Sequence, residues 1–94
     1  MEAKIYKQSG RVARVIPSNG TDFTLRELQS IVGGYIELVR LGNGNVMVIN
    51  EEAKGKIGTE INVSATRMAR EHQAIWAHDC IVGNALVCPS EMVR

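Results

Sequence analysis

The sequence predicts an α+β fold, with an antiparallel sheet of four to five strands and two helices packed on one face. Three observations predict it: a helix-capping pattern near residue 24, a hairpin signal at Asn43-Gly44, and a continuous apolar segment at 80–88. Ninety-four residues with 45% apolar content suit a single domain over residues 1–94, with a small core.

The first helix is expected over residues 24–32. Thr24 and Glu27 have the spacing of a capping box, in which each side chain accepts a hydrogen bond from the other residue's backbone N–H. Gly33 can adopt the left-handed conformation that ends a helix. The glycine pair that begins there is therefore expected to join the helix to the next strand.

A β-hairpin is expected where the segments YIELVRL and VMVIN flank GNGN. Asn43-Gly44 favours a two-residue turn in which both residues have positive φ. That turn sets Glu37 opposite Asn50.

The remaining elements are two short strands, a polar loop, a second helix and a central strand buried on both faces. The two short strands are expected over 3–7 and 11–16, the loop over 51–60, the helix over 64–77 and the central strand over 80–88. The second helix begins at an Asn62 or Ser64 cap and carries an apolar stripe that includes His72 and Trp76.

The main strands carry apolar residues on both faces, whereas helices on one face would cover only one of them. The second face is therefore expected either to pack within a dimer or to line a ligand pocket. We favour a homo-oligomer, because small domains often gain missing burial by association.

Composition and cysteine spacing limit the class of protein. A net charge of +1 argues against nucleic-acid binding, which usually requires a clear basic excess. No apolar run approaches the ~20 residues of a membrane-spanning helix, and the start MEAKIYKQSG lacks the apolar region of a signal peptide. Cys80 and Cys88, if both lie on one strand, are roughly 26 Å apart and cannot form a disulfide. We therefore predict a cytoplasmic protein with reduced, buried cysteines.

No motif in the sequence predicts catalysis. His78 and Asp79 are adjacent and cannot face each other as a base and its orienting carboxylate, and no Ser or Cys nucleophile lies in a recognisable turn. Glu51-Glu52 is typical of a solvated turn. Neither a metal site nor a cofactor is expected, because no set of ligands has suitable spacing. We expect that the protein is not an enzyme.

Two features of the second helix suit a ligand. Arg67 and Arg70 share a helix face near its N-terminus, where guanidinium groups beside backbone amides suit a phosphate; a solvated polar face is the simpler interpretation. Trp76, the sole tryptophan, suits stacking on a base, although closing the apolar face of its helix explains it more simply.

Four segments occur in a recognisable order: FTLRELQSIVGGYIELV, VINEEAK, NVSATRMA and DCIVGNALVC. Within about residues 23–88 they resemble a family of small uncharacterised proteins, a domain of unknown function, from bacteriophages, plasmids and other mobile elements. The resemblance implies a mobile-element origin and a location in the bacterial cytoplasm, and it supplies no activity or catalytic residues. Residues 1–22 show no such pattern. The family-like polar positions are Glu37, Asn50, Glu51, Asn62, Thr66 and Asn84.

These observations lead to a non-catalytic binding protein. The predicted function is sequestration of a nucleotide immune second messenger in a pocket between protomers, a role that suits a small phage protein. The messenger would be of the cyclic oligonucleotide or cyclic ADP-ribose type. The alternative is a protein-interaction module that inhibits or regulates a host or plasmid protein. Residues expected to supply charge, hydrogen bonds and stacking are Arg67, Arg70, Thr66, Asn50, Glu51, Asn62, Asn84, Tyr35 and Trp76.

Overall fold

The structure, a computed structural model, describes residues 2–94. Its elements in chain order are β1 (Ala3–Tyr6), β2 (Val12–Val15), α1 (Leu25–Val32), β3 (Ile36–Arg40), β4 (Asn45–Asn50), α2 (Val63–Glu71) and β5 (Ala85–Pro89). Short 3-10 helices occupy Ala53–Gly55 and Ser90–Met92. Within residues 2–94, neither α-helix has the length and apolar character to cross a membrane.

All five strands form one antiparallel sheet in the order β2-β1-β5-β4-β3. The central strand is β5, whose residues are all buried or half-buried, as predicted for the segment that contains it. It joins a β1–β2 hairpin to a β3–β4 hairpin. The α+β class, the antiparallel sheet and the two helices are confirmed.

The two helices lie on opposite faces of this sheet. Val46 and Val48 of β4 pack in one apolar cluster with Leu28 of α1. Met47, between them, packs in a second cluster with Ala65 of α2. Successive side chains of a strand point to opposite faces, so the expected placement of both helices on one face is corrected.

This arrangement gives each face of the sheet its own helix. We expected a homo-oligomer because one apolar face of the sheet would lack a helix. Since a helix covers each face, this reason no longer holds. Association between copies of the chain stays a prediction.

The first helix ends where the sequence predicts. Thr24 Oγ1 accepts from the Glu27 N–H at 3.2 Å, and Glu27 Oε1 accepts from the Thr24 N–H at 2.9 Å, which forms the expected capping box. Gly33 has φ 85° and its N–H donates to the Gln29 carbonyl at 2.8 Å. This left-handed residue confirms the predicted helix end.

The β3–β4 hairpin differs by one residue from its predicted register. Its turn holds three residues, 42–44, because Leu41 pairs with the residue after them. Both glycines of the turn have positive φ but Asn43 does not, so the predicted two-residue geometry is absent. Glu37 consequently lies opposite Ile49 and not opposite Asn50.

The second helix is shorter than predicted, ending at Glu71 where residue 77 was expected. Gln73 takes a left-handed φ of 54°, which prevents the helix from continuing. His72 and Trp76 are therefore exposed residues outside the helix, and the predicted apolar stripe is wrong at both positions.

The last strand is also shorter than predicted. β5 begins at Ala85, after a left-handed Gly83 with φ 83°, so Cys80 lies outside it. Both cysteines are free; Cys88 is buried and Cys80 half-buried. The predicted separation of roughly 26 Å assumed that both cysteines lie on one strand. Because Cys80 lies before β5, that assumption is wrong.

Candidate functional site

An open cleft lies between strand β3 and the segment 73–79 that follows α2. Its main part has a volume of about 620 Å³, and an adjoining hollow has about 180 Å³. The two share the lining residues Glu37, Val39, Ile75 and Asp79. We name them together the Trp76 cleft.

Exposed apolar side chains mark the rim of the Trp76 cleft. Trp76 is 76% exposed and Leu38 is 38% exposed, and both line its main part. Ile75 beside them is half-buried and packs against the cluster under α2. Single exposed apolar residues are ordinary on a surface, whereas an indole beside further apolar side chains in a concave site is typical of binding surfaces.

Asp79 holds the far wall of the cleft in place. Its Oδ1 accepts hydrogen bonds from Lys54 Nζ and, at 2.8 Å, from the Cys80 N–H. Arg70 donates from Nε and Nη2 to the Asp79 carbonyl at 3.2 and 2.7 Å. The bond from Lys54 lowers the pKa of Asp79, and the same bond raises the pKa of Lys54.

The inner hollow of the cleft is acidic. Glu37, Glu51 and Asp79 line it with one cation, Lys54, which is already paired with Asp79. Glu37 and Glu51 are exposed and form no ion pair within residues 2–94. Arg40 lines only the main part, and strand alternation directs its side chain to the face opposite Glu37. The hollow thus favours a cationic group.

Two of the predicted ligand-binding residues serve the fold. Asn62, 1% exposed, donates from Nδ2 to the carbonyls of Tyr6 at 2.7 Å and Gly83 at 2.8 Å, and its Oδ1 caps α2 by accepting from the Ala65 N–H at 3.0 Å. Thr66 Oγ1 accepts from the Ile81 N–H at 2.8 Å. These side chains bond the backbone, and Asn62 has few groups left for a ligand.

Two further predicted residues also bond the backbone. Asn50 Oδ1 accepts from the Glu52 N–H at 2.8 Å, and Nδ2 donates to the Val32 carbonyl at 3.4 Å. Asn84 Oδ1 accepts from the Gln8 N–H at 3.0 Å. Both therefore stabilise connections between elements.

A second hollow, of about 480 Å³, lies beside α2 and is lined by Thr66, Arg67 and Arg70. Arg70 is engaged with the Asp79 carbonyl, whereas Arg67 is exposed and makes no side-chain hydrogen bond within residues 2–94. Exposed Ile61 also lines it. We name it the Arg67 hollow.

The nine predicted residues consequently fall into three groups. Those that line the Trp76 cleft are Asn50, Glu51 and Trp76. Those that line the Arg67 hollow are Thr66, Arg67 and Arg70. Those that line neither are Tyr35, Asn62 and Asn84.

The histidines are both exposed and lie outside the Trp76 cleft. His72 is the C-cap of α2. Within residues 2–94, no three His, Cys, Asp or Glu side chains are grouped as a metal site would require.

Sequence reasoning missed Lys54 and Asp79 as partners across the cleft. They are 25 residues apart in polar segments, and no pattern in the sequence links them. The sequence analysis placed Leu38 in a strand but did not predict its exposure. That exposure follows from the position of β3 at the edge of the sheet.

Comparison with known proteins gives the family of the chain. No curated protein and no solved structure matches it. A family model described as a domain of unknown function, DUF3846, matches residues 4–92, a range that extends beyond the segments at 23–88 toward both ends. The chain therefore belongs to the DUF3846 family.

Proposed function

We propose that this protein is a non-catalytic binding protein of a phage or other mobile element that inhibits or regulates a host protein by binding to it. The observation that carries the proposal is the exposed Trp76 in a cleft at the sheet edge. Tryptophan is among the residues that contribute most to protein interfaces, since it covers a large area with few rotatable bonds.

The charge of the Trp76 cleft favours a protein partner over an anionic messenger. The carboxylates of Glu37 and Glu51 would repel phosphate groups in its inner hollow. The side chains of Asn62, Thr66 and Asn84, which sequence reasoning assigned to a nucleotide, are occupied by backbone hydrogen bonds.

The mobile-element origin rests on the sequence resemblance over residues 23–88. A protein that inhibits its partner by binding needs a contact surface but no catalytic site. The proposal therefore assigns the exposed side chains of the cleft to recognition, and none to chemistry.

Capture from bacterial cells tests the proposal. We expect the tagged protein to retain one stoichiometric host protein in native mass spectrometry, which also reports its subunit number. Trp76→Ala should abolish retention. Ile57→Ala, which truncates a fully exposed apolar side chain that lines neither part of the cleft, is the matched control and should retain the partner. Absence of a stoichiometric partner, or retention by Trp76→Ala, would contradict the proposal.

A second candidate is sequestration of a nucleotide immune second messenger, which the Arg67 hollow favours. Arg67, Arg70 and Glu71 line it beside exposed apolar Ile61. Because Arg67 makes no side-chain hydrogen bond within residues 2–94, the hollow offers its guanidinium together with apolar surface. Such a combination suits a phosphate attached to a base.

Isothermal titration against a panel of cyclic oligonucleotides and cyclic ADP-ribose isomers tests this second candidate. We expect a Kd tighter than about 10 μM if it holds, and Arg67→Ala should weaken binding. Arg11→Ala, on an exposed residue beyond the hollow, is the control. Heats that show no binding across the panel would rule the candidate out.

A further inference from the structure

Strand β3 leaves one row of backbone groups without partners. It is the last strand of the sheet and pairs only with β4. The Leu41 N–H donates to Asn45, and the Tyr35 carbonyl accepts from Glu51, so odd-numbered residues face β4. Alternation in an antiparallel ladder then turns the N–H and C=O groups of Ile36, Leu38 and Arg40 outward, and these make no hydrogen bond to the rest of residues 2–94.

The open edge of β3 borders the main part of the Trp76 cleft. The cleft is lined by four consecutive residues of the strand, 37–40. Successive side chains of a strand alternate between faces, so a hollow touching all four lies along the edge and not over one face. Natural sheets usually cover or charge such an edge because it readily pairs with another chain.

We propose that β3 binds an extended segment of a partner protein as a sixth strand, with a lysine or arginine of that segment seated in the Trp76 cleft. The inference rests on the proposed function, because it takes the partner to be a protein. To that it adds the mode of binding and the chemistry of the bound segment.

Strand geometry fixes where each side chain of the bound segment goes. A sixth strand would lie about 4.8 Å from β3, with its side chains directly beside those of β3 on each face. The residue beside Glu37 points toward the acidic hollow, where its cation meets the carboxylates of Glu37 and Glu51. Trp76 lines the adjoining main part of the cleft, through which the stem of that side chain passes. The next residue lies beside Leu38 on the opposite face, where an apolar side chain fits.

A second copy of the chain fits this edge less well. In an antiparallel pairing, residues with outward backbone groups pair with one another, and residues with inward groups do likewise. Arg40 belongs to the first set and Glu37 to the second. Two β3 strands therefore cannot set Glu37 opposite Arg40, and no cation of β3 would enter the acidic hollow.

Peptide titration tests the inference, and the sole tryptophan provides the signal. The probes are a decapeptide of alternating Lys and Val and a matched decapeptide of alternating Glu and Val. We expect saturable change in Trp76 fluorescence with the Lys peptide, and affinity about tenfold weaker for the Glu peptide. Glu37→Lys should reverse the preference, whereas Glu60→Lys, an exposed control, should keep it.

Amide hydrogen exchange then distinguishes strand addition from other binding. Saturation with the Lys peptide should slow exchange at Ile36, Leu38 and Arg40. Equal affinity for both peptides, or binding without this protection, would overturn the inference and leave a Trp76-dependent host partner possible. Protection at these amides without peptide, together with a dimer in sedimentation, would overturn it in favour of a second copy.

Discussion

Asn62 connects three parts of the chain through one buried side chain. Its amide bonds the end of β1, the loop before β5 and the first turn of α2. Amide groups have a donor and an acceptor side, and here each side has a partner. The residue therefore acts as a cap and as a clamp together.

Asn62→Ala should lower the free energy of unfolding by about 2–4 kcal/mol, since it removes a cap and takes the amide donor away from the buried Gly83 carbonyl and the half-buried Tyr6 carbonyl. Urea denaturation measures the change. Asn62→Ser, which keeps a capping oxygen but cannot reach both carbonyls, should lose less. A loss under about 1 kcal/mol for the alanine variant would contradict the clamp.

The two thiols should differ in reactivity. Burial raises the pKa of Cys88 to about 11, and the side chain is 1% exposed, while Cys80 is half-buried. Because the thiolate is the reactive form, alkylation of the folded protein should modify Cys80 first. Mass spectrometry after timed iodoacetamide treatment gives the order. The Cys80→Ser variant isolates Cys88, and rapid modification of it in the folded state would contradict the expectation.

Sequence reasoning recognised important polar residues but only part of their roles: it predicted Asn62 or Ser64 as the cap of α2, and it missed the bonds from Asn62 to distant carbonyls. Thr66 and Asn62 stand out as polar side chains among apolar ones, and such groups need partners. Apart from the capped Ala65 N–H, their partners are backbone groups 15 to 56 residues away. No local pattern says whether a partner is a ligand or a distant carbonyl, so the predicted site mixed structural residues with exposed ones such as Arg67.

At the scale of elements, prediction succeeded where the signals are local. Thr24, Glu27 and Gly33 fix both ends of α1 within ten residues of sequence. The end of α2 carries no such signal, because Gln73 adopts its left-handed φ without being glycine or asparagine. Contacts formed only in the folded chain, such as Arg70 to the Asp79 carbonyl, hold the segment that follows.

The junction between α1 and β3 depends on the absence of a side chain at Gly34. A Cβ there would lie 2.9 Å from Asn50 Nδ2, and Asn50 is buried and held by hydrogen bonds. Gly34→Ala should therefore lower the free energy of unfolding by about 1–3 kcal/mol. Thermal denaturation measures it.

Gly55→Ala is the matched control for that junction. A Cβ at Gly55 meets nothing within 4 Å, so its effect should stay within about 0.5 kcal/mol. Adding Asn50→Ala to Gly34→Ala removes the side chain that the new Cβ would meet. The double variant should therefore recover part of the free energy of unfolding that this contact costs. Equal effects of the two glycine variants would refute the steric argument.

At the scale of the whole molecule, carboxyl groups with lowered pKa values make the free energy of unfolding depend on pH. Backbone hydrogen bonds from Thr24 and Ser18 lower the pKa of Glu27 to about 2, and hydrogen bonds also lower the pKa of Asp22 and Asp79. A lowered folded pKa means that the unfolded chain binds more protons. The contribution is complete above the unfolded value of 4.5 for Glu27 and is lost as pH falls toward about 2.

Urea denaturation across this range tests the linkage. The wild type should lose stability as pH falls below about 4.5. Glu27→Gln keeps an acceptor for the cap but has no charge, so it should be less stable than wild type at neutral pH and approach it near pH 2. Glu71→Gln, on an exposed residue at the end of α2, should follow the wild-type curve. A constant gap between Glu27→Gln and wild type at every pH would contradict the assigned pKa.

The position of β5 sets the order in which the sheet can assemble. The hairpins β1–β2 and β3–β4 each form from neighbouring residues, but they meet only through β5, the last strand along the chain. During synthesis both hairpins leave the ribosome before the strand that joins them. The sheet therefore cannot close until residues 85–89 have emerged, and closure completes the cores on both faces in one step.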